Sequence, residues 1–272
     1  MYWSNFITNN MKGLYYIYIV AKNTVEQRKK VVFQMINHTI FLLFSLYLYK
    51  YVYELLPSMH AKLPFSNAIW SMSMYFVVFW LALRNIEKIF REDIRSGNVE
   101  MYMLRPISYV WQKVFMQIGQ GLIPFASALV LSVAVDYFLV GLPSMSMPLS
   151  LWIISLVVVF LLSQILTCLI FILCGLSGFW LQNSEPVYFV VSKFIMVFGG
   201  AWVPVAFFPP LLQKIAEFSP FGASMALSYA MYPNFAERFG LILINMIFWI
   251  LVCALLVNIV SKRANQKLAV NG

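Results

Sequence analysis

An all-α integral membrane protein is the fold class this sequence predicts, on three observations. Hydrophobic residues make up 62% of the 272 residues and charged ones only 11%, which is too little polar surface for a soluble domain of this size. Several apolar runs exceed the roughly 18 residues that mark a bilayer-spanning helix. The Lys and Arg residues behind the formal charge of +9 flank those runs and form no continuous stripe. That distribution argues against a nucleic-acid surface and suits anionic headgroups and topogenic loops. A soluble fold would have to bury nearly every helix on all sides, which a chain this short cannot do.

Residues 1–30 are mixed in character and form the first segment. Leu14, Tyr15, Tyr18, Ala21 and Val25 recur at helical spacing, interrupted by Lys12, Lys22, Glu26 and Arg28-Lys29-Lys30. This pattern predicts an amphipathic helix in the interface plane; a basic tail is the plainer alternative. No basic stretch followed by an apolar core and a cleavage site opens the chain, so insertion is expected to be led by the first true span. Six spans follow, at about 31–53, 67–84, 112–135, 149–175, 187–208 and 239–261. Together they form a 31–261 transmembrane domain, with 262–272 as a tail.

An even number of spans puts both termini on one side, and Lys and Arg decide which. The N-terminal segment, the 84–113 loop, Lys193 and the tail hold 15 of the 19 basic residues, against Lys50, Lys62, Lys214 and Arg238 on the opposite face. Both termini and the 84–113 loop are therefore expected in the cytoplasm. Tyr49, Tyr51, Tyr53, Trp70, Trp152 and Trp202 map to the outer interface and Trp80, Trp111 and Trp180 to the inner one, where amphipathic rings settle. Trp249 falls mid-span and should be packed. Between spans five and six, Pro210 can open a short helix whose apolar face is Leu211, Leu212, Ile215, Ala216 and Phe218, and Pro220 stops it. This predicts an external re-entrant or interfacial hairpin.

Chemistry is sparse. No phosphate-cradling Gly-x-x-x-x-Gly-Lys-Ser/Thr, no His-Glu-x-x-His and no Gly-x-Ser-x-Gly occurs. Two histidines exclude a His-rich metal site, and His38 beside Asn37 reads as a packed polar pair. Cys168, Cys174 and Cys253 all lie in apolar runs and read as buried thiols. No cofactor, metal site or catalytic residue is expected. Glu185, Asp136 and Lys193 sit near span ends, with no ladder of carboxylates for a proton relay. If this protein transports, its energy comes from another polypeptide. An integral membrane enzyme acting on lipid would need converging carboxylate, His or Cys groups, and none converge.

The stretch 84–108, RNIEKIFREDIRSGNVEMYMLRPIS, could receive that energy. Ile86, Ile89, Phe90 and Ile94 share one helical face; Glu87 with Arg91, and Lys88 with Glu92, are i,i+4 pairs. Arg95 falls in the last turn and Gly97 just past it, a stop signal. A solvated connector with topogenic charges is the plainer alternative.

The run Ile94-Arg95-Ser96-Gly97-Asn98-Val99-Glu100, then Met103-Leu104-Arg105-Pro106-Ile107-Ser108, resembles the cytoplasmic loop of ABC-2-type transporter permeases. A second block is similar to that family's later spans: Gly178-Phe179-Trp180-Leu181, Gly199-Gly200, Val203-Pro204, Phe208-Pro209, Leu212, Ile215 and Ser219-Pro220-Phe221. The likeness runs from about residue 20 to the end, with Met103 and the doubled proline at Pro210 as departures. It implies a half-transporter exporting its cargo from a bacterial plasma membrane. Such a subunit dimerises with a second copy or a non-identical permease and partners a cytoplasmic ATP-binding subunit. The 85–97 helix becomes the coupling element, with Arg91, Glu92, Asp93 and Arg95 touching the ATPase, Ile89, Phe90 and Ile94 anchoring it, and Leu104, Arg105 and Pro106 forming the loop turn. Gly199, Gly200, Pro204, Pro209 and Pro220 mark an external gate hairpin. A non-transporting sensor or immunity subunit would share this topology, and the cargo is not legible.

Overall fold

The computed structural model describes residues 2–81, 83–97, 109–181 and 183–271; within these, side chains are described from Gly13 to Ala264, Tyr109 excepted. Helices carry all regular structure among them. α1 (Tyr2–Glu26) and α2 (Arg28–Leu55) meet at Gln27; α3 (Met59–Lys62) is one turn; α4 (Phe65–Trp80) passes through a 3-10 turn (Leu83–Asn85) into α5 (Ile86–Ser96). α6 (Tyr109–Leu139), α7 (Leu149–Leu176), α8 (Gly178–Leu181) and α9 (Glu185–Phe198) follow. A second 3-10 turn (Val205–Phe207), α10 (Pro210–Phe218), α11 (Pro220–Ala223), α12 (Ala226–Tyr229) and α13 (Phe235–Asn271) complete the chain.

The protein is an all-α membrane protein. α2, α6, α7 with α8, and α13 are each long and apolar enough to cross a bilayer, and α4 with α5 passes the same test as a pair bent by 44°. The expected span 187–208 is helical only to Phe198. Its 14 residues extend about 21 Å, short of the ~30 Å hydrocarbon core.

The core gathers around α4, where 11 of 16 residues are buried; α2, α6, α7 and α12 pack around it. α13 turns Leu241, Ile244, Leu251 and Leu255 outward, as a helix facing lipid does. Asn67 ties the start of α4 to two loops. Its Nδ2 donates to the carbonyls of Met231 (2.6 Å) and Ser144 (3.0 Å), and its Oδ1 accepts from Ser144 Oγ (2.8 Å). At the other end of α4, Gln164 Nε2 donates to the Val78 carbonyl (3.0 Å), satisfying a last-turn acceptor that no water reaches in a bilayer. His38 links three helices: its Nδ1 accepts from Trp80 Nε1 (3.2 Å) and its Nε2 meets Ser132 Oγ (2.9 Å). Asn37, its expected partner, is exposed.

α1 runs along the first half of α6. A Cβ on Gly119 would come within 2.8 Å of the Ile17 carbonyl and 2.9 Å of Val20, so the bare glycine admits this close approach. Leu14, Tyr15 and Tyr18, from the face expected to lie in the interface plane, are not part of this contact and are each about two-thirds exposed. Small residues make the helix contact and large ones meet lipid, the usual division where no hydrophobic force separates protein from solvent.

Candidate functional site

α7 sets the two ends of the molecule. Near its start, Trp152 Nε1 donates to the Ala230 carbonyl just past α12; near its end, Gly175 touches α5. The 23 helical steps from Trp152 to Gly175 span about 35 Å, so the charged helix and the 199–232 segment approach α7 from opposite faces of a bilayer.

α5 lies directly on α7. A Cβ on Gly175 would stand 2.8 Å from Phe90 Cβ, and Phe90 is fully buried there. Ile86 is buried with it, while Ile89 and Ile94 are half-buried. Gly97 ends the helix at φ 71°, its N–H reaching the Ile94 carbonyl, a left-handed position that favours glycine.

The charges divide by face. Glu87, 1% exposed, accepts from Ser184 Oγ (2.6 Å), and Arg91 Nε lies 3.3 Å from its Oε1. Arg91 Nη1 continues to Glu185 Oε2 (2.6 Å) in the first turn of α9. Asp93 is buried against Lys113 Nζ (2.8 Å) from α6. Two carboxylates and one guanidinium therefore latch α5 to α6 and to the N-terminus of α9, where a helix dipole favours negative charge. Lys88 and Glu92, 3.7 Å apart and about 65% exposed, face outward with Arg95. Of the polar residues assigned to ATPase contact, Glu92 and Arg95 are thus on the open face, and Arg91 and Asp93 are turned inward. Leu104, Arg105 and Pro106 lie outside the described residues. Ser184 and Lys113 were missed as partners; the Ser-Glu-Pro run at 184–186, a helix start, was the one local signal.

At the opposite end, α9 stops inside the apolar layer and its last carbonyls are met by side chains. Tyr229 donates to the Phe198 carbonyl and Ser228 Oγ to that of Gly199 (2.9 Å). Gly200, at φ 78°, turns the chain out. Pro204 precedes the 3-10 turn, Pro209 precedes α10, and Pro220 opens α11. α10 then descends along α13. Arg238 grips Glu217 with both nitrogens (2.9 and 2.5 Å), Asn245 Nδ2 donates to the Glu217 carbonyl (2.9 Å), and Trp249 Nε1 to that of Phe218 (2.8 Å). Asn245 lies ten residues, about 15 Å, into α13. The Ser224 carbonyl accepts from Thr167 Oγ1 at 3.4 Å, fifteen residues and about 22 Å along α7 from Trp152. The segment is re-entrant. Of the face read on α10, only Ala216 is buried; Leu211, Leu212, Ile215 and Phe218 are exposed.

Between α6, α7 and α13 opens an apolar cleft of about 1170 Å³, floored by Leu83 and Phe90.

Bundled apolar helices, a charged amphipathic helix at one end and a re-entrant segment from the other define a multi-pass membrane protein. The family model for ABC-2 family transporter protein matches residues 64–272, and the chain belongs to that family. No curated protein matches it.

Proposed function

We propose that this protein is the membrane half of an ATP-driven exporter and that α5 docks on a separate ATP-binding subunit. Membership in a transporter family supports this. The observation that carries it is the division of charge on α5. Glu87, Arg91 and Asp93 fasten the helix to the bundle, and Lys88, Glu92 and Arg95 leave an open charged face at the end remote from the re-entrant segment. A helix held this rigidly transmits a push to α7 and α9. The docking contact belongs to Lys88, Glu92 and Arg95, with Arg91 and Asp93 as its mounting. Cargo leaves towards the 199–232 segment, which acts as the gate. A second permease copy or a sister subunit covers the outward apolar faces. Both termini and α5 are cytoplasmic in a bacterial plasma membrane, by the bias of Lys and Arg.

The test is a charge reversal on the open face. Lys88→Glu with Arg95→Glu should abolish copurification of the ATPase from mild detergent while membrane insertion is kept. Undiminished association of that double variant removes the docking assignment.

A further inference from the structure

A second cavity, of about 460 Å³, lies between the α1–α2 junction, the end of α4 and the first half of α6. Its volume is within the about 300–1,000 Å³ usual for small-molecule sites. It differs in kind from the apolar cleft. Its wall carries Lys30, Arg84, Gln27, Gln34, Asn85 and Gln120, and no carboxylate. Arg84 is its unusual member. The guanidinium rests 3.3 Å over the Phe79 ring, partly buried, between this cavity and a smaller one on the side of Tyr75 and α9. Tyr188 and Tyr75 are its electrostatic neighbours, and no carboxylate lies within salt-bridge distance of it among the described residues. A partly buried cation without a carboxylate partner is costly unless a ligand supplies the counter-charge. The amides favour the same ligand. Gln120 Oε1 already accepts from Gln117 Nε2 (3.2 Å), which leaves its NH₂ group to donate into the cavity.

We infer that this cavity binds an anionic phosphate group, the headgroup of an acidic phospholipid, between Arg84 and Lys30. Location supports the lipid as the source. Lys30 ends the Arg28-Lys29-Lys30 cluster, and Arg84 and Asn85 lead directly into α5. The cavity therefore opens at the basic end of the molecule, where acidic headgroups gather. A phosphate there would accept charge-assisted hydrogen bonds from guanidinium and ammonium. It would brace the N-terminal helices against the turn that carries α5. The inference rests on the membrane placement of the chain and not on ATPase docking.

The test uses the full chain alone, so its failure is separate from failure of the docking assignment. Native mass spectrometry would count lipids retained after reconstitution in phosphatidylcholine nanodiscs with and without phosphatidylglycerol, followed by detergent release. Wild-type protein should retain phosphatidylglycerol over phosphatidylcholine. Lys30→Gln should lower that retention about fivefold, and Lys30→Gln with Arg84→Gln on the order of 30-fold, at the ordinary worth of a basic residue beside an acidic headgroup. Arg84→Lys, which keeps the charge, should lose less. If Arg84→Gln does not fold, Lys30→Gln and Arg84→Lys carry the comparison. Release of the lipid by millimolar inorganic phosphate would keep the anion site and make free phosphate its occupant. Equal retention of both lipids, or retention unchanged in Lys30→Gln and Arg84→Lys, overturns the proposal.

Discussion

Glu87 offers the most direct test of how α5 is held, because its shape and its charge can be removed separately. Its carboxylate is 1% exposed, 2.6 Å from Ser184 Oγ and 3.3 Å from Arg91 Nε. At an effective dielectric of ~20, the Arg91 pair is worth about 5 kcal/mol gross. Desolvating the carboxylate takes back several kcal/mol. Glu87→Gln keeps an acceptor for Ser184 and removes both opposing charge effects, so the net loss should be ~1–2 kcal/mol. Glu87→Ala leaves the Ser184 hydroxyl without its acceptor and the Arg91 guanidinium without its buried counter-charge, at ~3 kcal/mol. Hydrogen exchange of the 86–96 amides reads this loss as local opening. At 1.4 kcal/mol per tenfold, the Ala variant should exchange on the order of 100-fold faster, with α13 unchanged. Ser184→Ala closes a double-mutant cycle with an expected coupling of ~1–2 kcal/mol. A coupling below ~0.5 kcal/mol, or unaltered exchange in Glu87→Ala, would show that the latch does not hold α5.

Two further outcomes follow from the packing. Gly175→Ala puts a Cβ 2.8 Å from Phe90 Cβ and should cost ~1–3 kcal/mol by overpacking, whereas Gly178→Ala comes nearest the flexible end of Ile94, at 3.3 Å, with Ser184 at ordinary contact distance, and should cost less than ~1 kcal/mol; equal effects on α5 exchange would refute the close approach. Arg238→Met removes the bidentate grip on Glu217 and should loosen α10 by ~2 kcal/mol, seen as faster exchange at 210–218 while α5 is unaffected.

Hydropathy made the spans legible because a helix in lipid must satisfy its backbone internally and can be apolar on every side. The same physics hid the packing. Lipid tails and protein interior are equally apolar, so hydropathy could not single out Gly119, with no side chain to signal anything, as the contact with α1, while Leu14, Tyr15 and Tyr18 stay exposed. Local chemistry located α5 and its stop at Gly97. It could not sort the charges of α5 by face, since Glu87 and Asp93 are buried by Ser184 and Lys113, which lie 97 and 20 residues away. The early stop of α9 was written as Gly199-Gly200, but a glycine pair in an apolar run reads equally as helix packing. Only the partners Tyr229 and Ser228, thirty residues on, distinguish a broken helix from a continuous one.

The two ends of the molecule solve the same problem by different means, and the difference bears on motion. At the α5 end, the Glu87 carboxylate is buried on Ser184 while Glu185 meets Arg91 from the exposed side, so displacement of α5 must carry Ser184 and the start of α9 with it. At the other end, α9 terminates on neutral hydrogen bonds from Tyr229 and Ser228. A neutral bond is worth about 0.5–1.5 kcal/mol, where one to a charged group is worth about 1.5–3 kcal/mol. A pull on α9 therefore breaks first at Phe198 and Gly199 and last at Ser184, whose hydroxyl is bonded to the buried Glu87 carboxylate. Under the proposed function this ordering has a consequence. A push from an ATPase reaches α9 intact and is released where α9 meets the re-entrant segment, so the weaker joint lies at the gate.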